Sequence, residues 1–156
     1  MLNIQVPGFG PISAEYLVCD FTGTLSENGR LVSGVTPRLR KISAFLKVHV
    51  VTFDTFGTAT RAFRGRPCVL TILSGEDGAL QKAAYLESLG PEQCIAIGNG
   101  SNDTLMVKKA RLGIVVVGKE GAAVTAVTAA DIVVTNVIAA LDLLRGPVGI
   151  KATLRN

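Results

Sequence analysis

Tyr16-Leu17-Val18-Cys19 is an apolar run with no polar alternation, so as a strand it must be buried on both faces. Strands of that kind belong to parallel sheets covered by helices on each side. This one runs directly into Asp20 and then into the small-residue loop Phe21-Thr22-Gly23-Thr24. In open α/β sheets, ligands bind at the carboxyl ends of the strands. Asp20 therefore stands where a ligand-facing carboxylate is expected. Gly23 lets the loop adopt an unusual backbone angle, with hydroxyl and N–H groups free to face an anion. The same residues also fit a bland alternative, an aspartate capping a strand ahead of a turn, so the rest of the chain has to decide.

That rest repeats strand and helix in alternation. Leu2, Ile4 and Val6 alternate with Asn3 and Gln5, and Pro7-Gly8-Phe9-Gly10-Pro11 must turn the chain, giving an N-terminal hairpin that feeds the strand at 15–20. Residues 26–31 read as a small flap around an Asn28-Gly29 turn. A helix follows with Thr36 as its cap, Pro37 at its first position, and Leu39, Ile42 and Phe45 on its apolar side. Strands are expected at 48–53, 68–73, 93–97, 112–117 and 131–134. Helices are expected at 79–89, 102–110, 121–129 and 136–145, with a short one leading out of Asp54-Thr55-Phe56-Gly57-Thr58. This interval means βαβ units with right-handed crossovers. The expectation is a single α/β domain over 1–156, a parallel sheet with helices on both faces.

Composition removes several function classes. No apolar run approaches the roughly 18 to 20 residues of a membrane span, and Met1-Leu2-Asn3-Ile4-Gln5-Val6 lacks the basic region and apolar core of a signal peptide, so a cytoplasmic protein is expected. The 3 cysteines, Cys19, Cys68 and Cys94, sit in apolar runs without metal-ligand spacing and read as reduced, buried thiols. The 1 histidine, His49, reads as a strand-end residue, which leaves Ser-His and Cys-His hydrolase mechanisms without a base. Formal charge is +4, and the stretch from Arg30 to Arg66 holds Arg38, Arg40, Lys41, Lys47, Arg61 and Arg64 against the lone acid Asp54. Such a stretch could attract an anionic substrate or nucleic acid. With few aromatics and no nucleic-acid motif, a solvated basic face is the plainer reading, and nucleic acid is not expected as a partner.

Four strand-exit features then stand together: Asp20 with its Thr-Gly-Thr loop, Thr52, Lys82, and Gly98-Asn99-Gly100-Ser101-Asn102-Asp103. In-line attack on phosphorus by a carboxylate uses all of them. It needs a metal against the negative charge, hydroxyl and N–H donors for the equatorial oxygens, and a cation near the nucleophile. Mg²⁺ takes carboxylate and carbonyl oxygens and keeps several waters, and Asp20 with Asp103 could supply the carboxylates.

The pattern resembles the haloacid dehalogenase (HAD) superfamily, and within it the phosphorylation domain of P-type ATPases. Asp20-Phe21-Thr22-Gly23-Thr24 matches the ATPase form Asp-Lys-Thr-Gly-Thr at all but one place, and Ala129-Ala130-Asp131-Ile132-Val133-Val134-Thr135 looks like the segment that follows the last motif there. Val6-Pro7-Gly8-Phe9-Gly10, residues 54–58 and the Gly-Asn-Gly start of the last motif look like the small soluble homologues of those ATPases. The resemblance covers nearly the whole chain. It implies a Rossmann-like fold with a minimal, capless insert and a Mg²⁺-dependent phosphohydrolase acting on a small phosphorylated substrate. Asp20 would be the nucleophile and a metal ligand, with the Thr22 carbonyl, Asn99 and Asp103 completing the metal site directly or through water. Thr52, Lys82 and Asn102, with the Gly23 loop, would hold the phosphoryl oxygens.

Two residues depart from the family pattern. Thr22 replaces the acid that protonates the leaving group in phosphatases, and Asn99 replaces a metal-site carboxylate. They motivate an alternative, a catalytically weak phosphate-binding or regulatory module. With 61 residues between Asp20 and Lys82, no nucleotide-binding domain or large cap fits, and ion pumping is excluded. An open site leaves room for a neighbouring subunit as cap, with the apolar hairpin at 2–12 as the surface of a homo-oligomer.

Overall fold

The computed structural model describes residues 1–54 and 57–156. β1 (Leu2–Val6) and β2 (Gly10–Ala14) form the antiparallel hairpin expected from the alternation at the start of the chain. β3 (Tyr16–Cys19) follows at once, and then β4 (Ser26–Glu27) and β5 (Arg30–Leu31) make the flap. Asn28 and Gly29 at its tip have φ of 49° and 73°. Two consecutive positive values suit a type I′ turn, which is why an Asn-Gly step is found there. The chain continues through α1 (Val35–Ile42), β6 (Lys47–Thr52), α2 (Thr58–Phe63), β7 (Val69–Ile72), α3 (Gly78–Leu89) and β8 (Cys94–Gly98). It ends with α4 (Thr104–Lys109), β9 (Leu112–Val116), α5 (Val124–Ala129), β10 (Ile132–Val134), α6 (Val137–Arg145) and α7 (Val148–Leu154).

Six strands form one parallel sheet in the order β10-β9-β8-β3-β6-β7. From β3 the chain builds outward through β6 and β7, then returns to the other side of β3 with β8. The order therefore reverses between β3 and β8, and a crevice opens at the carboxyl ends of strands at such a point. Helices cover both faces. Leu17 and Cys19 of β3, with Ile95 and Ile97 of β8, face α1, α6, α7 and the hairpin. Val18, with Cys94 and Ala96, faces α3, α4 and α5. The two-residue period of a strand makes that division. It runs one residue beyond β3, because the Asp20 N–H donates to the Ile97 carbonyl at 2.9 Å. Asp20 thus falls on the side of Val18, the side that carries α3 and α4.

Several boundaries differ from the sequence reading. α1 starts at Val35 with Gly34, at φ 89°, as its cap, so Thr36 and Pro37 lie inside the first turn, and the helix stops at Ile42. Thr36 instead accepts a hydrogen bond from Arg66. The helix expected at 121–129 starts only at Val124, with Ala123 still extended at ψ 134° and its N–H donating to the Asn99 carbonyl, 2.8 Å away. α4 likewise starts at Thr104, after a 3₁₀ turn at Ser101–Asp103. His49 lies inside β6, not at its end, with Nδ1 2.8 Å from the Tyr85 hydroxyl. α7 has no counterpart in the sequence reading, whose last element is the helix at 136–145. It packs on β1 and buries Ile150. The turn at 54–58 includes Thr55 and Phe56, which lie outside the described residues. Ile4, Val6, Ile12 and Ala14 of the hairpin are buried in the chain's own core, so the apolar face imagined as a subunit contact is already covered.

Candidate functional site

Asp20, Lys82 and Asp103 come from three separate elements and meet within the protein at the carboxyl edge of the sheet. Lys82 shares the buried side of α3 with Ala83 and Leu86. An ammonium there is costly unless it is paired. Its Nζ donates to Asp20 Oδ1 at 2.5 Å and to Asp103 Oδ1 at 2.7 Å. Asp20, Lys82 and Asp103 are 4%, 1% and 0% exposed, so solvent screens little of this interaction. The second Asp103 oxygen accepts the Asn99 and Gly100 N–H groups at 3.0 and 2.9 Å, and the loop after β8 folds around its own carboxylate. Gly98 is needed for that closeness, since a Cβ there would lie 2.5 Å from Asp103 Cβ.

The second oxygen of Asp20 has other neighbours. Thr24 Oγ1 lies 3.1 Å from Asp20 Oδ2 and 3.1 Å from Asn99 Oδ1. A hydroxyl carries one proton, so one of these two oxygens is left with a lone pair facing the same gap. Gly23, at φ 74°, lines that gap, where a Cβ would stand 2.6 Å from Asn99 Nδ2 and 2.7 Å from a Glu120 carboxylate oxygen. Glu120, on the loop after β9, therefore leans over the Gly23 turn toward Asn99. Beside it a cleft of about 340 Å³ runs between Thr24 and Asn136, and Lys119 and Glu27 of the flap, an ion pair of 2.8 Å, both line it.

Burial first, and then the charge of Asp103, push the Asp20 carboxyl up to about 7 against the opposing pull of Lys82 and Thr24. For Lys82, burial pulls the ammonium down but the two carboxylates outweigh it, so its pKa is raised and it stays charged. The Cys19 thiol is raised strongly, by burial and by Asp20, and is no nucleophile. The cluster as drawn carries one net negative charge. Among the described residues no three His, Cys, Asp or Glu side chains gather into a ready metal cage. The oxygens that converge at Thr24 nevertheless fit Mg²⁺, which takes one or two carboxylates, neutral oxygens and several waters.

The remaining residues singled out in the sequence are placed around this group. Thr52, 1% exposed, ends β6 one position beyond the level of Asp20, and no hydrogen bond among the described residues joins its hydroxyl to the cluster. Asn102 is exposed at the rim, near Gly78 at the start of α3. Thr22 is exposed, and its backbone bridges to Ser26 at the base of the flap. Thr24, expected only as one of the loop hydroxyls free to face an anion, instead has its hydroxyl between Asp20 and Asn99, the latter 75 positions away. Glu120 belongs to no motif, and only the fold brings it to Gly23.

The fold is the HAD fold: the structure of a putative HAD superfamily (subfamily III A) hydrolase from Legionella pneumophila aligns with TM-score 0.71 and 16% identity over 90% of this chain and 87% of that one. The structure of 3-deoxy-D-manno-octulosonate 8-phosphate phosphatase from Moraxella catarrhalis aligns with TM-score 0.66 and 16% identity over 89% of this chain and 90% of that one. The catalytic domain of the CPx-ATPase CopB-B aligns with TM-score 0.61 and 17% identity over 74% of this chain, but this chain spans only 46% of that one. No family model matches the sequence. Uncharacterized protein MJ0073 of Methanocaldococcus jannaschii is 46% identical over 81 residues, 49% of this chain and 87% of the relative, and the chain belongs to its family. No helix among the described residues is long and apolar enough to cross a membrane.

Proposed function

We propose that the protein is a Mg²⁺-dependent phosphohydrolase working through an aspartyl-phosphate on Asp20. The observation that carries this reading is the pairing of a buried Lys82 with Asp20 and Asp103 at the sheet's switch point, beside two oxygens that compete for one Thr24 proton. The Moraxella phosphatase of the same fold is a complex with magnesium and phosphate ions, which supports the assignment. Asp20 Oδ2, the Thr22 carbonyl and Asn99 would hold Mg²⁺, whose charge would offset that of the phosphoryl group.

Asp20 attacks phosphorus and the bond to the leaving oxygen breaks. Lys82 draws the nucleophile into position and offsets charge on the phosphoryl oxygens. Asp103, enclosed by its own loop, keeps Lys82 charged and in place. Thr52, Asn102 and the N–H groups of the Gly23 loop hold the equatorial oxygens. Water then attacks the aspartyl-phosphate, releasing inorganic phosphate and the free carboxylate. Thr22 cannot donate a proton as a carboxylic acid does, so the leaving oxygen departs as an anion and takes its proton from solvent. General-acid help typically contributes about 10²- to 10⁴-fold. Aryl and acyl phosphates are therefore the expected substrates, ahead of sugar and other alkyl phosphates.

Turnover of an aryl phosphate with and without Mg²⁺, in the wild type and in Asp20→Asn, tests the reading. Metal-dependent turnover that the variant lacks is expected. Thr22→Asp should raise alkyl phosphate turnover more than aryl. A rate independent of leaving-group acidity, with no phosphoenzyme trapped by rapid quench, would sink the mechanism. A second reading, a phosphate-binding module with little turnover, is favoured by the neutral Asn99 and by the raised Asp20 carboxyl. Binding of phosphate analogues without turnover would select it.

A further inference from the structure

Beyond the catalytic cluster, the fold gathers three arginines of the basic stretch around one groove. Arg30 of the flap, with Arg61 on α2 and Arg66 just after it, lines an open cavity of about 360 Å³ whose remaining walls include Gly29 and Thr58. Among the described residues no acidic side chain lines it. The acids on the adjoining elements are already engaged. Asp54 accepts from the Ala59 and Thr60 N–H groups and from the Thr58 and Thr60 hydroxyls. Glu27 is paired with Lys119. Arg66 is fixed in place, donating to the Thr36 hydroxyl at 2.8 Å and to the Ala62 carbonyl at 2.5 Å. Three guanidinium groups around one small cavity repel one another unless an anion sits among them, and their planar forks suit phosphate or carboxylate.

The groove is tied to the Asp20 loop from two sides. Phe63 of α2 stacks edge-on against Phe21, the residue after Asp20, with ring centroids 5.8 Å apart. The flap that supplies Arg30 is joined to Thr22 through Ser26. We propose that this groove receives the second anionic group of an extended substrate, whose phosphoryl group enters at Asp20. The substrate class is then a bisphosphate or a phosphorylated carboxylic acid. This rests on the phosphohydrolase reading above. A nucleic-acid strand is the poorer fit, because the groove's volume suits one small anion and not a run of nucleotides.

Calorimetric titration in Mg²⁺ with a series of alkane-1,ω-bisphosphonates and the alkylphosphonates of the same chain lengths tests the proposal. At one chain length the bisphosphonate should bind about tenfold tighter than its partner, the gain expected of two partly exposed guanidinium–phosphonate contacts. That ratio should fall to about one in Arg30→Gln/Arg61→Gln, and should shrink with added salt. Both substituted residues are exposed, so the variant keeps the fold. Equal affinity for both ligand types at every length, with the monophosphonate bound, overturns the groove assignment and leaves the phosphohydrolase reading standing. No binding of either type overturns both. A short single-stranded oligonucleotide that binds more tightly than the bisphosphonates, and is lost in the same variant, overturns the choice of a small substrate.

Discussion

Asp20 bears the charge that this site has to manage. Its carboxyl is raised to about 7, chiefly by burial, whereas an unfolded aspartate ionises near 3.9. Stability that is complete below the unfolded value is therefore lost as pH climbs from about 4 through 7. With metal chelated, Asp20→Asn should raise the melting temperature most above pH 7, and the gain should shrink as pH falls toward 4. Melts at pH 5 and 8 measure this, and equal gains at both would mean that Asp20 is not the strained group. Asn99→Asp works in the opposite direction. It adds a second enclosed negative charge near Asp20, so it should lower metal-free stability and tighten Mg²⁺ binding, read as a melting shift against added metal. An unchanged half-saturation would remove Asn99 from the metal's surroundings. The order of motifs marks Asp20, Lys82 and Asp103 in the sequence because each ends a strand or lies near a helix start. It does not tell the two carboxylates apart. Only the closed loop around Asp103 and the open side of Asp20 do that, through contacts between residues far apart in the chain.

At the scale of elements, α2 depends on one cap. Burial is the largest single influence on the Asp54 carboxyl and raises it, but the N–H groups of Thr60 and Ala59 and two threonine hydroxyls together outweigh it and lower its pKa. Its stabilisation is present above the unfolded value and is lost as pH falls through the folded one. Asp54→Asn should therefore cost about 1 kcal/mol near neutrality. The difference from wild type should shrink as pH falls below the unfolded value near 3.9, as urea unfolding at neutral and at acid pH will show. The strands were legible because apolar runs bounded by turns have few other uses, and the flap because Asn-Gly fits positive φ. Helix ends were less so. Thr36-Pro37 satisfies the rule for a cap, yet Gly34, at φ 89°, turns the chain two residues earlier. α7 carries only Ile150 fully inside, too little periodicity to separate it from a tail.

Across the whole molecule, the two edges of the sheet carry separate duties. The carboxyl edge holds the cluster, and the opposite edge is closed by the hairpin. Arg111 staples that hairpin by donating to the Pro11 and Phe9 carbonyls, at 2.9 and 3.1 Å, with its guanidinium 4.6 Å from the Phe9 ring centre. Arg111→Ala should lower stability by about 1 to 2 kcal/mol and leave turnover per folded molecule unchanged, as denaturant midpoints and rates together would show. A fall in turnover without a fall in stability would deny the separation of edges. The strand order also bears on synthesis. β3 lies between a strand made soon after it and β8, made much later, and Asp103 follows Asp20 by 83 positions. At ribosomal speed that interval is on the order of ten seconds. During it Asp20 has been translated without Asp103, and Lys82 lacks one of its two carboxylate partners. Nascent chains stalled before α4 clears the exit tunnel should therefore form no phosphoenzyme at Asp20, however well their first half has folded.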